Sequence, residues 1–333
     1  PANRRFHAQP NACADCGPRV WFVDSPDADS AFDAFDALDS FDDCSAGESA
    51  LTAFHRAIGQ GRIVAVKGIG GFHLACDAAN ETAIAELRRR KGRVDKPLAV
   101  MVADIEHARN LATVSASEAS LLTSKERPIL LLRKKAGVDG VDGVAGAVRI
   151  ATNVAPGNDF IGCLLPYSPL HYLLLEHGPL VMTSGNVSDE PIVRTNREAR
   201  KRLTNIADAF LLHDRDIEVV CDDSVVRCVE QQLLPVRRSR GYAPMPVPLS
   251  EPGPAVLAVG GEIKSTFCIT RDHYAYLSQH IGDMGNIETL DALKRSVDHF
   301  LRLFRVQPEA VAADLHPGYL SGQWAQSLAA SLG

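Results

Sequence analysis

Six cations crowd nine positions in the segment ELRRRKGRVDKPLAV, residues 86–100: Arg88, Arg89, Arg90, Lys91, Arg93 and Lys96. The chain around them is acidic, with 41 Asp and Glu against 35 Lys and Arg and a formal net charge of −6. Such a cluster is either a solvated helix face or a seat for a polyanion. Gly92 and Pro97 divide the segment, because glycine closes helices and proline cannot continue one. Arg88, Arg89 and Arg90 fall in the last turn of a helix, where cations complement the helix dipole, and they read as a solvated face. Lys91, Arg93 and Lys96 fall around the turn that follows. Like charges held in a turn repel one another unless an anion sits between them. These three read as an anion seat.

Other stretches could serve the same chemistry. In VAVKGIGGFHL, Lys67 stands near a strand end and is followed by Gly68, Gly70 and Gly71, which let backbone N–H groups approach an anion. The run matches neither the P-loop nor the dinucleotide-binding glycine pattern, and a tight strand-to-helix turn explains it equally well. In VMTSGNVSDEP a strand ends at Thr183, Ser184 and Asn186, and the carboxyl ends of strands are where open α/β sheets place ligands. An ordinary turn rich in Ser, Gly and Asn accounts for this stretch as readily. No nucleophile with a neighbouring base is apparent. HAQPNACADCGP holds Cys13 and Cys16 in a Cys-x-x-Cys between Pro and Gly, the form of a zinc knuckle, which supplies two of the four ligands zinc requires. His7 is a weaker third candidate. A redox role is disfavoured because no strand precedes the motif and no helix opens at it.

Positioning these groups needs a sheet. RIVAVKG, PLAVMV, PILLL, PLVMT, DAFLLH, SVVRCV and LLPVRRS read as strands. ALTAFHRAIGQG, closed by Gly61, NETAIAELRRR, capped by Asn80, SPLHYLLLEHG and NREARKRLTNIA read as helices. The order predicts a mixed twisted sheet of about 200 residues with helices packed on it. GYAPMPVPLSEPGP, with five prolines in fourteen residues, cannot sustain a helix or a central strand and reads as a linker. AVLAVGGEIKSTFCITRDHYAYLSQHIG then alternates like a hairpin, NIETLDALKRSVDHFLRLFRV is an amphipathic helix and AVAADL a strand, the opening of a second α/β domain. Residues 24–48 are acidic and read as a solvated linker.

The 333 residues, 46% of them apolar, suffice for two domains. The acidic balance excludes a protein that wraps nucleic acid by general charge. No apolar run reaches the roughly 18–20 residues of a membrane span. The eight cysteines form no secreted-type framework and fit reduced thiols in the cytoplasm. A chain beginning at Pro1 and stopping after a helix-like stretch reads as a piece of something longer.

Ten stretches stand here in the order found in the HypF family: RRFHAQPNACADCGPR, VAVKGIGGFHLACDA, RRRKGRVDKPLAVM, LPYSPLHYLLL, PLVMTSGNVSDEPI, ADAFLLHDRDI, CDDSVVR, RRSRGYAP, VGGEIKSTFC and DLHPGYLS. The chain resembles that family, the carbamoyltransferases of nickel–iron hydrogenase maturation, over nearly its whole length apart from 24–48. The resemblance implies an α/β fold: a YrdC-like twisted mixed sheet with flanking helices, followed by the beginning of an actin-like, TsaD-like ATPase domain. It divides the chain into the second half of a four-cysteine zinc finger (1–23), an acidic linker (24–48), a YrdC-like carbamoyl-adenylate-forming domain (49–243), a Pro-rich linker (244–254) and a truncated TsaD-like domain (255–333). It implies catalytic roles for Lys91 and Arg93, and nucleotide or carbamoyl contacts for Lys67, Lys96, Thr183, Ser184, Asn186, Ser224 and either Arg238 or Arg240. The implied cofactors are ATP, Mg²⁺ and a structural Zn²⁺ on Cys13 and Cys16. The implied partners are carbamoyl phosphate or carbamate and the C-terminal cysteine of HypE. Rival readings are an O-carbamoyltransferase, a threonylcarbamoyl-adenylate synthase, and a module binding double-stranded RNA. The acidic charge and the lack of a basic, aromatic-interleaved stripe count against the last.

Overall fold

The computed structural model describes residues 17–24, 45–138, 149–187 and 190–332. Cys13, Cys16 and most of the acidic 24–48 stretch lie outside the described residues.

Eleven strands build the main sheet: β1 (Val20–Val23), β2 (Ser45–Ala46), β3 (Val64–Lys67), β4 (Phe72–Asp77), β5 (Ala99–Met101), β6 (Ile129–Arg133), β7 (Phe160–Leu164), β8 (Leu180–Ser184), β9 (Ala209–His213), β10 (Val225–Val229) and β11 (Gln232–Arg237). Their spatial order is β11-β10-β6-β7-β5-β8-β4-β3-β9-β1-β2. The pairs β3/β9, β5/β7 and β6/β10 are parallel and the rest antiparallel, so the sheet is mixed. Strand β1 was not anticipated: Val20–Val23 pairs with β9 and so belongs to this sheet.

Both faces are apolar because alternate residues of each strand point opposite ways. One face carries Trp21, Val23, Ala65, Leu74, Cys76, Leu130, Leu132, Phe210 and Leu212. It is covered by α2 (Glu81–Lys91), α3 (Ile105–Leu111), α4 (Ala116–Thr123) and α6 (Asn196–Leu203), through Ile84, Leu87, Leu111, Leu122 and Leu203. The other face carries Phe22, Val64, Val66, Ala75 and Leu211, covered by α1 (Glu48–Gly59) and α5 (Pro169–Leu174) through Phe54, Ala57 and Leu174. That second cover extends over part of the sheet only. Beyond it the same face is bare of helices among the described residues, and the cleft described below opens there.

The C-terminal region forms a four-stranded sheet in the order β12-β14-β13-β15, from β12 (Val247–Gly253), β13 (Val256–Val259), β14 (Phe267–Leu277) and β15 (Ala310–Ala312). Helices α7 (Ile287–Phe304) and α8 (Leu320–Leu332) accompany it, and Leu257, Phe267, Ile269, Leu293, Val297 and Phe300 form its core. Part of the expected Pro-rich linker is therefore strand. Pro248 and Pro252 are tolerated because β12 lies at the sheet edge, where missing N–H donors break no ladder. Among the described residues no helix is long and apolar enough to cross a membrane.

Candidate active site

The bare part of the sheet is the floor of a cleft of about 1400 Å³. Ala99, Ile129, Leu131, Gly162, Met182 and Ser184 contribute to it, together with Val225 and Arg227. The register explains this set: Ala99 and Leu131 both lie opposite Gly162, and Val225 lies opposite Ile129, so these residues share one face. Gly162 keeps the floor flat, since a Cβ there would meet the Ile129 side chain at 2.9 Å.

The end of α2 supplies the charged corner. Asn80 caps the helix by accepting from the Ala83 N–H, and Gly92, at φ 66°, closes it in the left-handed region that favours glycine. Arg88 does not lie on a solvated face as expected. It is buried, and its guanidinium donates to the carbonyls of Asn153 (2.6 Å), Arg93 and Val94 (3.0 Å each), and Lys96 and Val154 (3.2 Å each). It thereby clamps the turn that carries Arg93 and Lys96. Helical spacing holds the missed signal: Ile84, Leu87, Arg88 and Lys91 form an i, i+3, i+4, i+7 stripe, and all four are buried. Arg89, off that stripe, is exposed and pairs with Glu86 at 2.7 Å, as a solvated cation should. Arg90 is half-buried between Glu86 and Asp208, at 2.6 Å from each.

Lys91, Arg93, Lys96, Thr183, Ser184 and Asn186 all line the cleft. Lys91 Nζ donates to the carbonyls of Ser184 (2.6 Å) and Asn186 (2.7 Å) and to Asn186 Oδ1 (2.7 Å). It thus ties the end of α2 to the turn after β8. Ser184 Oγ donates to Asn186 Oδ1 at 2.7 Å, and Asn186 Nδ2 donates to the Glu190 carbonyl at 2.6 Å, which fixes that turn. Arg93 donates to the carbonyls of Pro97 (2.7 Å) and Lys96 (3.2 Å). Burial, with the neighbouring Arg93, pulls the Lys91 ammonium down to about 7 against the opposing pull of Asp222. Burial, with Arg237 and Arg88, brings Arg93 down to about 10. Both shifts come first from burial, and neighbouring cations add to them.

Four expected contacts lie elsewhere. Lys67 is buried away from the cleft lining, donates to the His213 carbonyl at 3.0 Å and is pulled by burial to about 8. Ser224 is buried and locks the chain beside it, its Oγ donating to the Arg240 carbonyl at 2.9 Å and accepting from the Ser239 N–H at 2.7 Å. Arg238 turns to the C-terminal region, donating to the carbonyls of Leu277 and Met245. Arg240 is enclosed: it donates to Asp223 Oδ1 (2.8 Å) and to the carbonyls of Glu126 and Arg127, and lies 3.4 Å over the Tyr167 ring. The arginine of this segment that lines the cleft is Arg237, paired with Asp222. In the pairing of β10 with β11, Arg237 lies opposite Val225 on the floor face. The facing wall comes from the C-terminal region, through Gln279, His280, Glu288, Asp291, Arg295 and Arg302, none of which the sequence singled out.

The mixed sheet, open at its cation-edged end, has the form of a YrdC-like domain. Residues 56–239 match the family model Sua5_yciO_yrdC, described as telomere recombination; residues 251–332 match the HypF Kae1-like domain and residues 1–23 the HypF finger. The chain belongs to the HypF family. It is 49% identical over 294 residues to carbamoyltransferase HypF2 of Cupriavidus necator, covering 82% of this chain and 35% of that one. A solved structure of full-length HypF in the phosphate- and nucleotide-bound form matches with TM-score 0.83 and 46% identity, over 98% of this chain and 40% of that one. HypF of T. kodakarensis matches with TM-score 0.86 and 39% identity, over 99% and 40%. The chain spans roughly two fifths of the length of these relatives or less.

Proposed function

We propose that this chain carries the carbamoyl-activating step of a carbamoyltransferase: a carbamate oxygen attacks the α-phosphorus of ATP, carbamoyl-adenylate forms and pyrophosphate leaves. The observation that carries this reading is the corner where Lys91, Arg93, Lys96 and Arg237 line one cleft with Ser184 and Asn186. Cations held at a pre-shaped site stabilise the charge of a transferring phosphoryl group without reorganising, and positioning does the rest. Arg93, Lys96 and Arg237 would face the phosphates. Lys91, its donors committed to the turn after β8, would position Ser184 and Asn186 toward the carbamoyl group and add its charge. No protein nucleophile is required. The thiols of Cys76 and Cys163 fit that account, since both are buried and pushed upward by burial.

Asp222 and Asp223 are each committed to an arginine. A magnesium ion would therefore be held by the nucleotide's phosphates and water rather than by these two carboxylates. In the same reading Cys13 and Cys16 contribute two ligands to a structural zinc, and the activated group passes to a C-terminal cysteine of HypE in the cytoplasm. The relatives' printed names as carbamoyltransferases and the nucleotide in the solved HypF structure support this reading.

The test is pyrophosphate exchange into ATP by this chain. Exchange that requires carbamate is the expected result. Exchange driven instead by L-threonine with bicarbonate would transfer the chain to the threonylcarbamoyl-adenylate synthases. Double-stranded RNA binding without exchange would favour an RNA module.

A further inference from the structure

A second donor set lies outside the cleft lining, where α1 packs on α5. His55 comes from α1, and Glu176 and His177 from the turn after α5. One ligand atom from each lies within 4.8 Å of the other two. The imidazoles of His55 and His177 have centroids 4.5 Å apart and planes at 83°. Glu176 Oε2 is 3.7 Å from His55 Nε2, and the Leu173 carbonyl oxygen is 3.0 Å from that same nitrogen. The turn is closed by the Gly178 N–H donating to the Leu175 carbonyl, with Gly178 at φ 129°.

An ion pair between one histidine and one glutamate would gain nothing from a second imidazole against the first, since two protonated rings repel. Two imidazole nitrogens and a carboxylate are, by contrast, a donor set that borderline divalent metals prefer, whereas calcium and magnesium favour oxygen alone. Bonds of about 2.0–2.2 Å place the donors of a tetrahedral site roughly 3.3 Å apart. The set closes to that spacing by rotation of Glu176, whose side chain is 72% exposed, and of the exposed His177, while His55 stays fixed in the helix.

We infer that His55, Glu176 and His177 hold a divalent cation of the zinc type, which staples α1 to the turn before β8. Each imidazole ligates through a lone-pair nitrogen, with its N–H carried on the other ring nitrogen and any excess proton released to water, and water completes the shell of the cation. The cation joins residues far apart in sequence, so its binding raises the stability of the folded chain in proportion to its occupancy.

The test is titration with zinc chloride of the full chain carrying Cys13→Ser and Cys16→Ser, which removes the thiolates of the Cys-x-x-Cys, against the same chain with His177→Ala. If the serine background folds poorly, both arms are repeated with accessible thiols alkylated. One equivalent bound, at least tenfold weaker in H177A, with a zinc-dependent rise in Tm in the parent and none in the variant, is the expected result. Equal affinity and equal thermal shifts in both chains would overturn the site.

Discussion

At the cleft corner Arg93, Lys96 and Arg237 line an open space of about 1400 Å³, whereas His73, Arg240 and Tyr167 close around Asp223, a buried carboxylate that borders the same cleft. The two groups put arginine to opposite ends. In the closed group Asp223 receives His73 Nε2 at 3.1 Å and Arg240 Nε at 2.8 Å. Burial alone would raise the Asp223 carboxyl, but His73 and Arg240 outweigh it and hold it well below the usual carboxylate range. In the open group Arg237 pairs with the Asp222 carboxylate, and burial depresses Lys91 and Arg93. Charge that is fully answered fixes the fold. Charge left under-answered beside open space is what an anionic ligand can use.

The sharpest way to break this distinction is Asp223→Ala. It leaves the Arg240 guanidinium buried without its carboxylate, which costs about 3–5 kcal/mol. Urea unfolding should show that loss at neutral pH. Because the folded carboxyl lies below its unfolded value, the lost stability is the part present above about pH 4 in the parent and absent in strong acid. A loss under about 1 kcal/mol would mean that the closed group does not hold the structure.

Arg93→Ala should do the reverse, lowering pyrophosphate exchange about tenfold or more while the urea midpoint shifts little, since a charge-assisted contact is worth roughly 1.5–3 kcal/mol. Arg88→Ala should fall between the two. It loosens the turn carrying Arg93, so KM for ATP should rise more than kcat falls, and some stability should go with it. If kcat fell alone, Arg88 would be acting on the reaction rather than on the turn.

The Lys91 ammonium predicts a pH effect. Burial depresses it most, Arg93 and Lys96 on its own loop add to that and Asp222 opposes them, leaving it near 7. An anion favours the charged form, so nucleotide binding takes up a proton, and affinity should fall as the pH rises above 7, by up to about tenfold to pH 8.5. Lys91→Met should flatten that profile. For folding the sign is opposite: the unfolded lysine binds more protons between about pH 7 and 10, so this residue's contribution to stability rises across that window. The smallest effect belongs to Arg89→Ala, which should leave both the urea midpoint and the exchange rate at the parent's values.

Much of this contrast is written in local sequence. Asn80 and Gly92 bracket α2 as read, the hairpin of β13 and β14 pairs as its alternation suggested, and Lys91, Arg93, Lys96, Thr183, Ser184 and Asn186 share one cleft. What escaped depends on partners remote in the chain. Arg88 reads as one more cation in a basic run, and its burial depends on carbonyls at 153 and 154 that close over it. Strand β4 hides behind a glycine run, yet it pairs with both β3 and β8. Arg238 and Arg240 could not be told from Arg237 without the register of β10 against β11, where a bulge intervenes. The wall from α7 is invisible locally because the side chains that face the cleft look like any polar helix surface.

The most direct measurement is calorimetric titration of ATP into the parent chain and into the double variant Arg93→Ala/Arg237→Ala, with Arg89→Ala as the surface control. The account predicts an affinity at least about 100-fold weaker in the double variant, from two lost charge-assisted contacts, and an unchanged Kd in the control. Equal affinities for the parent and the double variant would contradict it, and would place the nucleotide away from the corner where α2 ends.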